Sequence, residues 1–251
     1  MKRDQVALQL YTMREQAAED LAGTLARVAE IGYTAVEFAG FYGHAATDVR
    51  GMLDANGLRA VAAHVPITDF EGRFDGVVED MKTLGCNWAI VPFLPPELRG
   101  ADRLDELAEK FGAWGQQVAD AGMRFAYHNH DFEFAEKFPN GEPLFHELIE
   151  RTAPGIVSFE LDAYWVVRGG YDPVDVLTDH ADRISLLHLK DANKDDPTDD
   201  APFGDGSLDW TAILAASRAA GIEYYIVEQD NPGSAYDDIE ASLRNAERMA
   251  Q

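Results

Sequence analysis

Four short apolar runs in the second half of the chain each finish on side chains that bind metals or move protons. They are Phe125-Ala126-Tyr127-His128-Asn129-His130, Ser158-Phe159-Glu160-Leu161-Asp162, Leu186-Leu187-His188-Leu189-Lys190-Asp191 and Tyr225-Ile226-Val227-Glu228. A run that buries itself in a sheet gains no packing from a terminal imidazole or carboxylate, so four such endings imply a shared polar site. His128, Asp162, His188 and Glu228 form a mixed imidazole and carboxylate donor set. Such a set suits one divalent ion, Mn, Co, Zn, Fe or Ni, with positions left open for substrate oxygens. Taken singly, Asp162 could cap a turn, His188 could be a core histidine and Glu228 could pair with an arginine; their joint occurrence at strand ends favours the metal.

The elements that would position these residues follow from the alternation of short apolar runs with longer helical patterns. Candidate strands lie near 5–11, 35–39, 59–65, 88–93, 124–130, 156–162, 184–190 and 223–228, and candidate helices near 14–31, 46–56, 70–84, 101–121, 143–152, 173–180, 209–220 and 235–250. Leu21, Leu25, Val28 and Ile31 recur at helical spacing, as do Leu104, Leu107, Phe111 and Trp114, which predicts helix faces packed on a sheet. Gly32, Gly57, Gly85, Gly122 and Gly221 stand where helices give way to strands, as residues that accept the left-handed conformation closing a helix. Repeated strand-then-helix units without a linker predict a single-domain (β/α)8 barrel over residues 1–251. A doubly wound sheet is disfavoured, because no glycine-rich nucleotide loop follows the first strand. In such a barrel all C-terminal strand ends face one mouth, which brings the four candidate ligands together. The long segment from Asp191 to Leu208 directly follows a ligand-bearing strand and reads as a lid over that mouth.

Composition limits the partners. The chain has 251 residues, 46% of them hydrophobic, enough for one substantial core. Its formal charge is -24, with 45 acidic residues against 21 basic ones, a surface that repels nucleic acid and anionic lipid. No segment approaches the roughly 20 apolar residues of a membrane span, and the N-terminus lacks a signal-peptide pattern, so a cytoplasmic location is expected. The single cysteine, Cys86, cannot form an internal disulfide and reads as a buried small residue. Homo-oligomer formation is left open.

These motifs carry a resemblance. Leu8-Gln9-Leu10-Tyr11-Thr12, Tyr127-His128-Asn129-His130-Asp131-Phe132-Glu133-Phe134, Leu161-Asp162-Ala163-Tyr164-Trp165, His188-Leu189-Lys190-Asp191, Gly204-Asp205-Gly206 with Asp209-Trp210, and Val227-Glu228 span nearly the whole chain. In them the protein resembles the xylose-isomerase-like TIM-barrel superfamily of sugar phosphate isomerases and epimerases, which also includes inosose dehydratase and an abasic-site endonuclease branch. The resemblance implies one divalent metal held by Glu, Asp, His and Glu from strands five to eight, with Asp162, His188 and Glu228 in the last three places. At the first place this chain departs: many members have Glu-Asn-His where it has His128-Asn129-His130, a run closer to that of inosose dehydratases. His128 is therefore the expected fourth ligand, and His130, two residues on and on the same side of a regular strand, a substrate contact. Glu133 falls where the family places a carboxylate that contacts substrate, and it could alternatively replace the missing ligand.

The expected reaction begins at a carbon beside a carbonyl, where a metal-polarised carbonyl makes the C–H acidic and stabilises an enediolate. Glu228 or His128 takes the proton, and Lys190 neutralises the enediolate or protonates a leaving group. Return of the proton isomerises or epimerises a sugar, keto-sugar or polyol derivative; loss of a β-substituent makes the same site a keto-sugar or inosose dehydratase, or a 3-keto-glycoside lyase. Glu37 and His64, ending strands two and three, are candidate substrate contacts, and Tyr11 and Trp165 a candidate wall for a sugar ring. With no arginine cluster or glycine cradle, a phosphate group is not expected. A non-catalytic sugar-binding barrel is the remaining alternative.

Overall fold

Residues alternate sides along a strand, so each strand's inward face carries every second side chain. The computed structural model describes residues 1–135 and 137–250. Its strands are β1 (Val6–Gln9), β2 (Ala35–Phe38), β3 (Arg59–His64), β4 (Trp88–Val91), β5 (Arg124–His128), β6 (Val157–Asp162), β7 (Ile184–Leu189), the ribbon of β8 (Asp191–Ala192) and β9 (Asp200–Ala201), and β10 (Tyr224–Val227). All but the ribbon close into a parallel barrel in the order β1-β10-β7-β6-β5-β4-β3-β2. The helices are α1 (Arg14–Ile31), α2 (Ala46–Asn56), α3 (Ile67–Gly72), α4 (Phe74–Leu84), α5 (Leu104–Asp120), α6 (Phe132–Ala135), α7 (Leu144–Arg151), α8 (Ala163–Arg168), α9 (Pro173–Asp179), α10 (Trp210–Ala220) and α11 (Ala235–Met249).

Two apolar layers result. Ala7, Ala35, Ala62, Trp88, Ile90, Ala126, Leu186 and Ile226 form one buried cluster, in which small alanines leave room for the indole of Trp88. Their strand neighbours Leu8, Val36, Tyr127, Leu187 and Val227 belong instead to the larger cluster shared with the helices, including Leu21, Leu25, Val28, Leu104, Leu107 and Phe111. Two residues beyond the first cluster stand Gln9, Glu37, His64, His128, His188 and Glu228. The same face that fills the barrel with alanine and leucine below thus becomes polar at its C-terminal end.

Helix ends follow the glycines: Gly32, Gly57, Gly85 and Gly221 are left-handed C-caps of α1, α2, α4 and α10. Each adopts a backbone conformation that costs a residue with Cβ more. The helix expected over 70–84 divides at Arg73, whose φ of -146° is not helical, and α1 is kinked at Asp20.

The segment from Asp191 to Leu208 is not a lid. The buried Asp191 carboxylate accepts hydrogen bonds from the N–H groups of Ala192 (2.9 Å), Gly204 (3.0 Å), Gly206 (3.1 Å) and Leu208 (3.0 Å) and from the Trp210 indole (2.8 Å). Phe203 is fully buried, its N–H bonded to Ser242 and its carbonyl to Asn245. A carboxylate that gathers five donors ties both ends of the segment together; Phe203 packs it against α11, Asp200 accepts from the Asp230 and Asn231 N–H groups, and none of its residues lines the cavity. Among the described residues no helix is long and apolar enough to cross a membrane.

Candidate metal centre and substrate pocket

β6 delivers Asp162 at its last residue. Its Oδ1 accepts from the Tyr164 and Trp165 N–H groups at 2.9 and 3.2 Å and caps the short α8. Asn129, just after β5, clamps the Asp162 backbone by accepting from its N–H at 3.0 Å. The capping role expected of a bland aspartate is real, yet it uses only one oxygen. Oδ2 is buried without a hydrogen bond, with Lys190 Nζ 3.2 Å and His188 Nδ1 4.0 Å away.

Around Oδ2 the strand ends converge as the barrel geometry requires. Donor atoms of His128, Asp162, His188 and Glu228 all lie within 4.8 Å of one another. His188 Nδ1 is 2.8 Å from Glu228 Oε2. On its other edge, His188 Nε2 is 3.1 Å from both Glu37 Oε1 and Glu160 Oε2. Burial works against charge on His188, but Glu160 and Glu228 overcome it and raise its pKa well above the usual range. The imidazole is held with protons on both nitrogens.

Lys190, two residues beyond His188, is also buried, with its ammonium 2.9 Å from Glu228, 2.9 Å from Asp230 and 3.2 Å from Asp162. Burial opposes its charge, and those three carboxylates prevail, raising its pKa well above the lysine range. Burial and neighbouring imidazoles instead lower His128 and His130 well below the ordinary histidine value, leaving them neutral.

This donor set fits a divalent cation. Glu37, Glu160, Asp162, Glu228 and Asp230 bring carboxylates to one region where Lys190 is the lysine, and a dication offsets that excess. A metal ion on His188 Nδ1 would replace the proton there, and Asp162 Oδ2, which has the Lys190 ammonium nearby but no hydrogen bond, would gain a direct partner. His128, Asp162, His188 and Glu228 would be its holders.

Above this cluster opens a cavity of about 680 Å³. Tyr11, Pro66, Pro92, Phe93 and Trp165 form its apolar wall, while His64, His128, His130, Lys190, Glu228 and Asp230 form its polar side. The rings of Tyr11 and Phe93 are exposed at the rim, 42% and 44% respectively. His130 Nδ1 is buried without a partner, and its ring stands 5.4 Å from that of Trp165.

Of the expected substrate contacts, Tyr11, His64, His130 and Trp165 thus line the cavity, whereas Glu37 and Glu133 do not. Glu37 is fully buried beneath the imidazoles, bonded to Gln9 Nε2 at 2.5 Å as well as to His188. Glu133 turns back from α6 to the Tyr127 hydroxyl and, at 2.8 Å, the His130 N–H, so it neither reaches the cavity nor joins the ligand group.

Two residues escaped the sequence reading. Glu160 is fully buried and sits two places before Asp162, so the same two-residue spacing that pairs His128 with His130 puts it on the inward face. Asp230 lies two places beyond Glu228 and continues the face of β10 past the strand's end. The sequence signal was present for both.

Residues 25–249 match the xylose isomerase-like TIM barrel family. An inosose dehydratase from Geobacillus kaustophilus (strain HTA426) is 28% identical over 196 residues, covering 68% of this chain and 62% of that enzyme; the match therefore spans less than two thirds of that curated relative's length. A sugar phosphate isomerase/epimerase from Parabacteroides distasonis ATCC 8503 superposes with a TM-score of 0.85 at 27% identity, covering 100% of this chain and 95% of that one. The IOLI protein, solved with a zinc atom bound, shares the fold with a TM-score of 0.73 at 17% identity, over 98% of each chain. With its closed eight-stranded barrel and a match over nearly its full length, this chain belongs to the xylose isomerase-like TIM barrel family.

Proposed function

We propose that the protein is a divalent-metal-dependent isomerase or epimerase acting on a sugar, keto-sugar or polyol derivative, which removes a proton from the carbon beside a carbonyl. The observation that carries this reading is the convergence of His128, Asp162, His188, Glu228 and Lys190 on the floor of an aromatic-walled cavity. When bound, the cation supplies Lewis acidity that polarises the substrate carbonyl and stabilises the enediolate. Glu228 and His128 both line the cavity; Glu228 can accept the proton, whereas His128, with Nδ1 on Glu160 and its other nitrogen left for the cation, keeps no free nitrogen for that role. The Lys190 ammonium stands where negative charge develops and cannot drift, because three carboxylates hold it. Tyr11 and Trp165 offer faces for the C–H side of a sugar ring, while His64 and His130 present ring nitrogens to its hydroxyls.

A dehydratase or lyase is the second reading. It is favoured by an imidazole at position 128, which leaves no second glutamate on β5 to serve as an opposing base, and by the likeness to an inosose dehydratase. Both readings share the first proton abstraction and differ in what leaves. The test is a panel of keto-sugars and inososes offered to Mn- or Co-loaded protein in heavy water. Deuterium uptake with isomers otherwise unchanged in composition supports the isomerase, and loss of water or an aglycone supports the lyase. Full metal occupancy without exchange on any member would reject both and leave a sugar-binding barrel.

The cavity lining also bears on substrate charge: it contains no arginine, and its lysine is already neutralised. Neutral sugars are expected to compete better than their phosphorylated counterparts, by at least tenfold in kcat/KM. A preference for the phosphorylated form would contradict this assignment.

A further inference from the structure

We propose that Glu160 is a positioning residue that decides which nitrogen two histidines turn toward the cation: Nε2 of His128 and Nδ1 of His188. The inference rests on the metal reading above but concerns a residue outside the His128, Asp162, His188 and Glu228 group, one that stands with His64, His128 and His188 in a second cluster of potential ligands. Glu160 is fully buried in the barrel interior, and its Oε2 is approached by three imidazole nitrogens. His64 Nε2 lies at 2.8 Å, His128 Nδ1 at 3.0 Å and His188 Nε2 at 3.1 Å. Glu37 Oε1 braces the same edge, 3.1 Å from both His64 Nε2 and His188 Nε2, and Gln9 holds it in place.

An ionised carboxylate only accepts, so each imidazole nitrogen that faces it must present an N–H. A metal requires a bare nitrogen, and the hydrogen bond made by one ring nitrogen fixes the other as the ligand. Glu160 captures Nδ1 of His128, which leaves Nε2. His188 Nε2 is hydrogen-bonded to Glu37 Oε1 with Glu160 Oε2 equally near at 3.1 Å, which leaves Nδ1 on the edge that faces Glu228 and Asp162. His64 gives the contrast within the same cage: it belongs to the group around Glu160 but not to the one around Asp162 and Glu228. Glu160, braced by Glu37, thus sets opposite tautomers on two adjacent ligands, something neither strand's local geometry would impose.

Two measurements test this. Side-chain 15N NMR of the zinc-loaded wild-type protein should show His128 protonated at Nδ1 and coordinated through Nε2, and His188 the reverse; the same coordinating nitrogen in both rings would overturn the proposal. Glu160→Gln keeps the shape but gives up the anionic acceptor. Its zinc dissociation constant, from chelator competition, should rise by about 10–100-fold, and the visible spectrum of its Co(II) form should change, while its melting curve stays cooperative. Wild-type affinity and spectrum in E160Q would reject the positioning role alone. If E160Q does not fold, the wild-type tautomers decide by themselves. Wild-type protein that takes up no divalent ion removes the metal reading and this role with it. Two ions in wild type and one in E160Q would make Glu160 a ligand of a second cation, which also overturns the proposal.

Discussion

Lys190 is the cation on which Asp162, Glu228 and Asp230 depend, and the ammonium meets buried Asp162 and Glu228 where screening is weak, with Asp230 partly exposed at the cavity edge. Removing one partner of a buried ion pair typically costs about 3–5 kcal/mol, because the remaining charges stay buried without compensation. Lys190→Met is therefore expected to lose that much stability in metal-free protein and to recover part of it when a divalent ion binds the native state. Urea denaturation with and without Mn checks this; an unchanged midpoint in metal-free protein would show that the carboxylates do not need the ammonium. Glu133 gives a pH signature instead. Burial outweighs the hydrogen bonds from Tyr127 and the His130 N–H and pushes its carboxyl from 4.5 up to about 8. The folded state holds this proton after the unfolded chain has released it. Its stabilising contribution is therefore complete below the unfolded pKa and is lost as pH rises through about 8. Glu133→Gln should flatten that decline, and equal slopes in both proteins would refute the assignment. At this scale the four ligand candidates were legible because each breaks an apolar run at a strand end. Glu160 was missed although the spacing that exposed His130 applied equally to β6, and the inward turn of Glu133 depends on a tyrosine partner that strand spacing does not predict.

The elements were easiest to read where local chemistry and tertiary packing agree. β5 and β7 start where the candidate strands are expected to start, at residues 124 and 184, and α1, α2, α4 and α10 stop at glycines whose left-handed backbone is a local requirement. The segment after β7 was misread because its order comes from one side chain collecting donors up to 19 residues away, a pattern that a Gly- and Asp-rich stretch does not announce. That origin makes a strong prediction. Asp191→Asn replaces an anionic acceptor with an amide that must also donate, leaving part of the Gly204, Gly206, Leu208 and Trp210 set unpaired. Hydrogen bonds to charged groups contribute about 1.5–3 kcal/mol each, so a loss of about 3 kcal/mol or more is expected. In a chain of this size that corresponds to a fall in Tm of roughly 6 °C or more. A variant melting within a degree or two of wild type would mean that burial of Phe203, not the carboxylate, orders the segment.

For the whole molecule the dominating quantity is charge. A formal -24 spread over one barrel gives more repulsive than attractive pairs, and the exposed ion pairs, such as Arg50–Asp54 and Arg27–Glu30, offset little of it. Within the barrel mouth the same excess is concentrated around the Lys190 ammonium; over the outer surface it only opposes compactness. The two act over different distances. Surface repulsion is screened once the Debye length shrinks from about 30 Å at 0.01 M salt to about 3 Å at 1 M, whereas the buried Lys190 cluster is shielded from mobile ions by the protein around it. Stability should therefore rise with NaCl across that range, with most of the gain already present near 0.15 M, where the screening length is about 8 Å. The gain should be nearly the same in Lys190→Met as in wild type, because the lost interaction is not one that salt can reach. Thermal melts of both proteins across the series make the comparison. A flat or falling wild-type Tm would show that the acidic surface does not strain the fold, and a salt gain confined to wild type would place the screened repulsion in the barrel mouth instead of on the surface.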